Sequence, residues 1–257
     1  MRLLALLIAT AAIGCRTVPP GGVHPLEEPM EDDEVDSARA EGERLWEIDP
    51  RTLINVESSL EWWRRIARSF PDDYEACWKG ARAAAWIAGR ARGDEERKRF
   101  AMEGIQLGNS AVEAKADGAE GRYCRALAMG ELADVDHSYG VDAVKKMEED
   151  CLAAAAADER FDHAAGHRFV GILYVECPGP PTSIGSLRKA KQHLDQALNL
   201  APDWPPNRFW SGKLAREEGD LDRARREFQA VIDAPTPPGF TTEAEEWRDD
   251  AREELAK

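Results

Sequence analysis

Ala190-Lys191-Gln192-His193-Leu194-Asp195-Gln196-Ala197-Leu198-Asn199-Leu200-Ala201-Pro202 decides how this chain folds. Within it Ala190, Leu194, Ala197 and Pro202 stand at successive steps of four, three and five residues, and Ser59, Trp63, Ile66 and Pro71 repeat those steps. Steps of four and three place side chains on one face of an α-helix. The closing proline ends the helix, because it has no N–H to donate and its ring clashes with the preceding turn. The text is that of the second helix of a hairpin, written twice, and hairpins that recur along a chain stack on their neighbours.

Counting outward in this register, with the four members at positions 20, 24, 27 and 32 of a unit, finds the other hairpins. The first runs from a helix near 35–48, through a break at Asp49-Pro50, to a second helix near 52–69. In the second unit Ala81 falls at position 8, and Gly104, Gly108, Ala111 and Ala116 repeat the four, three, five steps. Position 8 normally precedes position 20 by twelve residues, so this unit carries extra residues, expected as a long loop at Gly89 to Glu96. The third unit has Ala126 at position 8 and a second helix near 141–157, where the run Ala153 to Ala157 hides the register. The fourth has Gly171 at position 8 and an inserted loop, Cys177 to Gly185, rich in proline and glycine. The fifth is regular, with Gly212, the turn Gly219-Asp220, then Ala224, Phe228 and Val231. A last helix from about Thr242 to Lys257 carries Trp247 and Leu255 among many charges, which suits a polar cap on the open end of a stack. No segment alternates with period two over a useful length, so strands are not expected.

Small residues at positions 8 and 20 let the two helices of a hairpin approach, and a larger residue at 24 fills the gap to the next hairpin. This is the pattern of irregular tetratricopeptide-like repeats. The expected fold is all-α, a superhelical stack of antiparallel helical hairpins with a C-terminal capping helix, over residues 37–257.

The segment Gly166-His167-Arg168-Phe169-Val170-Gly171-Ile172-Leu173-Tyr174, with Pro178 to Ser186, Lys189-Ala190 and Leu200-Ala201-Pro202, resembles the T component associated with TRAP transporters. The likeness spreads thinly over most of residues 38–235 and includes Glu120-Gly121-Arg122-Tyr123. It implies a periplasmic lipoprotein that works with a substrate-binding protein and a membrane permease.

The N-terminus speaks to the compartment independently. Arg2 precedes an apolar stretch, Leu3 to Ala12, too short to span a bilayer, and Ala12-Ile13-Gly14-Cys15 resembles the lipobox of bacterial lipoproteins. Residues 1–14 then form a signal peptide and Cys15 becomes the lipidated first residue; an ordinary secretory signal is the alternative. Arg16 stands where an inner-membrane retention signal would carry aspartate, so the periplasmic face of the outer membrane is the expected location. Residues 15–36, with Pro19, Pro20, Pro25 and Pro29 ahead of an acidic run, read as a disordered tether that reaches on the order of 25 Å.

Net charge is −15, and losing Arg2 with the signal makes it −16, which repels nucleic acid and anionic headgroups. Cys77, Cys124, Cys151 and Cys177 permit three disulfide pairings, with buried free thiols an equal alternative.

First helices of such units turn positions 5 and 9 to the concave side. The register places Trp78, Tyr123, Arg168 and Phe209 at position 5, and Arg82, Leu127, Ile172 and Lys213 at position 9. Aromatic groups beside cations suit an apolar or carboxylate-bearing ligand, or an acidic peptide; a register one residue off makes the same aromatics ordinary packing. Trp78, Arg82, Tyr123, Arg168, Phe209 and Lys213 are therefore the candidate groove residues. His163 and His167 lie four apart, a spacing zinc uses on a helix, but without the HExxH glutamate or a third ligand nearby packing is the expectation. Neither a phosphate-binding glycine loop nor a GxSxG elbow is present, and no carboxylate pair stands out, so no catalytic residue, metal or cofactor is expected. Two readings remain: an accessory component that meets a periplasmic solute-binding protein, or a scaffold for envelope or secretion-complex assembly. Self-association stays open in both.

Overall fold

The computed structural model describes residues 29–257. Among these described residues eleven α-helices follow one another: α1 (Val35–Trp46), α2 (Leu53–Ser69), α3 (Tyr74–Ala88), α4 (Asp94–Ala114), α5 (Ala119–Val135), α6 (His137–Ala157), α7 (Ala165–Glu176), α8 (Leu187–Leu200), α9 (Pro205–Glu217), α10 (Leu221–Asp233) and α11 (Thr241–Ala256). There is no strand among the described residues, and no helix there is long and apolar enough to cross a membrane. Consecutive helices pair as antiparallel hairpins from α1/α2 to α9/α10, and each hairpin packs on the next.

Local chemistry sets the boundaries. Side-chain oxygens of Thr52, Asp73, Asp136, Ser186 and Asp220 each accept a backbone N–H in the first turn of the helix they precede. Pro205 and Pro206 open α9, where a missing N–H costs nothing, while Pro71 and Pro202 lie just past the ends of α2 and α8.

The repeat positions pack as the spacing requires. Ala190, Leu194 and Ala197 are fully buried on α8, and Ala224, Phe228 and Val231 on α10. A methyl on Gly171 would stand 2.5 Å from Cγ of Leu194, and one on Gly212 would stand 2.7 Å from the Phe228 ring. Position 8 is small because the position-24 side chain of the same hairpin occupies that space. In the first hairpin the Ser59 hydroxyl donates to the carbonyl of Gly42 at 2.7 Å and accepts from the Trp63 indole at 3.0 Å, so both polar groups of this buried pair are satisfied.

Three departures from the sequence expectation, and one register that the sequence left hidden, have simple causes. Extra residues of the second unit do not form a long loop at 89–96; most extend α4 N-terminally to Asp94, where Asp94, Glu95 and Glu96 complement the positive helix end. In the third unit Val144, Met147, Cys151 and Ala154 face the core of α6, so Met147 takes the place a small residue holds elsewhere. Ordered structure begins ahead of residue 37: Met30 is buried against Trp63 and Ile66, its N–H donates to Ser69 Oγ at 2.8 Å, and a single 3-10 turn spans Asp32–Glu34. Cys15 and residues 1–14 lie outside the described residues. Finally, α11 does more than cover the end of the stack. It packs on α9 and α10, and its first two turns reach back across the molecule to the first two hairpins.

Candidate functional site

That return of α11 creates the site. Thr241 donates to Asp49 through its N–H at 3.0 Å and its hydroxyl at 2.8 Å, and the Thr242 hydroxyl donates to the Arg51 carbonyl at 2.7 Å. Glu243 takes hydrogen bonds from Arg51 and, at 2.8 Å, from the Trp86 indole; Glu246 takes one from Arg90 Nε at 2.8 Å. Between α11 and the inward faces of α1, α3 and α5 lies a half-open cavity of about 450 Å³, within the usual range of ligand pockets. Aromatic walls come from Trp46, Trp78, Trp86, Tyr123, Phe161 and Phe240, and cations from Arg51, Arg82 and Arg90.

The row at positions 5 and 9 is divided. Trp78, Arg82, Tyr123 and Leu127 line the cavity, while Arg168, Phe209, Ile172 and Lys213 do not. Arg168 is buried and works for the backbone: its guanidinium donates to the carbonyls of Asp162 (3.4 Å) and His163 (3.1 Å) and to Asn207 Oδ1 (3.0 Å). Phe209 packs on Trp210 and Phe228 at the α9/α10 junction, and Lys213 lies 3.5 Å from Glu254 and 3.7 Å from Glu176. The row breaks because the chain fills its own concavity beyond the third hairpin. There Trp204 packs edge-on against Phe240 and Trp247 and stacks on His163 at 3.7 Å.

Asp162, His163 and Ala164 hold positive φ angles of 43°, 57° and 67°. Three consecutive non-glycine residues in the left-handed region cost roughly 1–2 kcal/mol each, a state that persists only where surrounding bonds enforce it. Arg168 and Asn207 enforce it here, and the turn carries Phe161 and Asp162 into the cavity. The same turn places His163 outside α7, so His163 and His167 do not share a helical face. His167 instead meets His193 of α8, with Nδ1 atoms 3.0 Å apart.

Electrostatics single out Arg82. Arg51 and Arg90 are held by Glu243 and Glu246, and Glu131 by Arg97 at 2.6 Å. Arg82 instead stacks on Trp46, 3.9 Å from guanidinium carbon to ring centre, and on Trp78 at 5.1 Å. Its nearest carboxylate oxygen, Glu43 Oε2, is 3.6 Å away and is also approached by Lys79 at 3.0 Å. Nε and Nη2 of Arg82 are buried with no hydrogen-bond partner among the described residues. Burial pulls the Arg82 pKa below the ordinary arginine value, with Glu43 the main opposing influence. Burial also pushes the thiol of Cys124, another lining residue, up to about 12. Cys77, Cys124, Cys151 and Cys177 are all free thiols.

Trp86 continues the four-residue stripe of Trp78 and Arg82 along α3, Arg90 follows at the same spacing just past its end, and that spacing is legible in sequence. Phe240 and Glu243 carry no such sign, since they arrive from the far end of the chain.

No protein-family model matches the sequence, and no curated protein is significantly similar to it. Solved structures are similar. A thermophilic TPR protein of Thermus thermophilus, TTC0263, superposes with a TM-score of 0.64 at 19% identity, over 87% of this chain and 100% of that one. MamA from Desulfovibrio magneticus RS-1, from residue 41 to its end, superposes with a TM-score of 0.53 at 15% identity, over 79% of this chain and 95% of its own. A MamA RS-1 double mutant gives 0.52 at 17% identity, over 79% and 94%. At these identities the likeness speaks to architecture alone, and with the hairpins described above it establishes that this chain has the tetratricopeptide-like helical-repeat fold.

Proposed function

We propose that this protein is a non-catalytic docking module, held by lipid on Cys15 at the periplasmic face of the outer membrane. It acts there as an accessory T-like component that meets the solute-binding protein of a TRAP-type uptake system. The observation that carries the docking role is the half-open aromatic and cationic cavity where α1, α3 and α5 face the first turn of α11. Helical-repeat folds present concave surfaces of this kind to partners. The anchor rests on Ala12-Ile13-Gly14-Cys15, and the transport role on the resemblance around Gly166 to Pro202. No residue set in the cavity pairs a nucleophile with a base: Cys124 is held as a thiol, and the lining acids are engaged by arginines.

Crosslinking in intact cells, followed by recovery of the full chain from the envelope, tests this reading. The expected result is a solute-binding protein and its permease in the captured fraction, with fatty-acyl label on the wild-type chain and none on Cys15→Ala. Recovery of assembly or secretion machinery without transport components would replace the uptake role by a scaffold role.

A further inference from the structure

Arg82 is the cavity's one polar group with a full positive charge and no hydrogen bond to any described residue. Buried donors left unmet are costly, and the loose pairing with Glu43 at 3.6 Å together with stacking on Trp46 and Trp78 answers the charge without giving the N–H groups a hydrogen bond. A guanidinium is a planar fork whose best complement is an equally planar, two-oxygen acceptor. We propose that the cavity binds a small amphipathic carboxylate, with Arg82 taking the carboxylate and the walls of Trp46, Trp78, Trp86 and Phe161 taking an apolar body. The inference rests on the cavity being a binding site, and not on the anchor or the protein partner.

Three features select this class. A small inorganic anion would leave the aromatic walls wet in a space of about 450 Å³, so the ligand brings apolar surface of its own. An organic cation would find the carboxylates already paired with cations: Glu131 with Arg97, Asp162 with Arg168 at 3.4 Å, and Glu243 with Arg51, its Oε1 also bonded by Trp86. It would also meet the positive charge of Arg82 directly. A ligand carboxylate lets the Arg82 fork turn into the cavity that it lines, exchanging two unmet donors for a charge-assisted pair. The other lining atom without a partner among the described residues is an acceptor, Glu243 Oε2, so a carboxylate that also carries a hydroxyl donor answers both.

The test titrates the purified full chain with 4-phenylbutanoate, 4-phenylbutan-1-ol, 4-phenylbutyl-trimethylammonium and inorganic phosphate, using calorimetry and quenching of tryptophan fluorescence. The expected result is carboxylate binding at least about tenfold tighter than alcohol, ammonium or phosphate, and an Arg82→Gln chain in which acid and alcohol bind within about threefold of each other. Equal binding of acid and alcohol, preference for the ammonium, tight binding of phosphate, or no saturation by any probe overturns the proposal. Retention of the acid preference in R82Q overturns the role of Arg82. Should R82Q fail to fold, the comparison of the four probes on the unaltered chain still decides. A chain that binds none of them yet recovers its protein partner from envelopes sinks this inference alone; one that binds the acid but captures no transport component sinks only the proposed docking role.

Discussion

At Gly212 the distance from a missing Cβ to a ring carbon determines how closely α9 and α10 approach. Phe228 is fully buried, so its ring has nowhere to retreat, and Gly212→Ala should lower stability by about 1–3 kcal/mol in denaturant unfolding. An unchanged midpoint would mean that the hairpin can open at that point. Asp150 tests a different residue-scale force. It is fully buried on α6 and receives a two-pronged bond from Arg125 of α5, at 2.8 Å and 2.7 Å. Replacing one partner leaves the other charge stranded, so Asp150→Ala should cost about 3–5 kcal/mol, while exposed pairs such as Arg252 with Asp249 should cost little.

Between elements, the α7/α8 hairpin is held in part by His167 and His193, whose facing Nδ1 atoms require at least one ring to be neutral. Burial lowers both pKa values, and His167 and Lys189 further disfavour charge on His193; Glu159 beside His167 and Glu148 beside His193 oppose this. The unfolded chain binds these protons more readily, so the stabilisation is present above the ordinary histidine pKa near 6.5 and is lost as pH falls through the lowered folded values. Thermal melts from pH 7.5 to 5 should therefore show a falling midpoint, and His193→Gln should flatten that slope. A slope unaffected by the substitution would assign the acid sensitivity to other groups. The neighbouring turn at Asp162 to Ala164 is a second coupling between elements, because Arg168 of α7 and Asn207 of α9 hold its carbonyls in place.

Over the whole molecule, α11 joins the two ends of the stack. Arg51 and Glu243 are 192 residues apart in sequence and directly bonded in space. Removing the carboxylates with Glu243→Gln and Glu246→Gln should raise hydrogen exchange in the first turn of α11 and around Trp86, leaving α7 and α8 unchanged. Uniform exchange across the chain would show that the return contact is not a separable unit. This architecture also explains what the sequence makes legible. Hairpins can be read because each is local: Ala190, Leu194 and Ala197 announce a helix face within eight residues. Trp78, Arg82 and Tyr123 can be read because α3 and α5 present them at regular positions. The lining from Phe161, Asp162, Phe240 and Glu243 cannot, since it depends on a left-handed turn with no glycine in it and on a contact across most of the chain. Arg168 shares a register position with Tyr123 and is diverted to support that turn, which periodicity cannot foresee.

The central claim, that partners are engaged at the cavity formed by α3 and α5 against α11, is tested most directly by the double substitution Trp78→Ala with Arg82→Ala in the full chain. Partner recovery after crosslinking in cells should be measured alongside the thermal midpoint. The prediction is loss of the captured partner with a folded chain whose melting stays cooperative; full recovery of the partner by a folded double variant would contradict it.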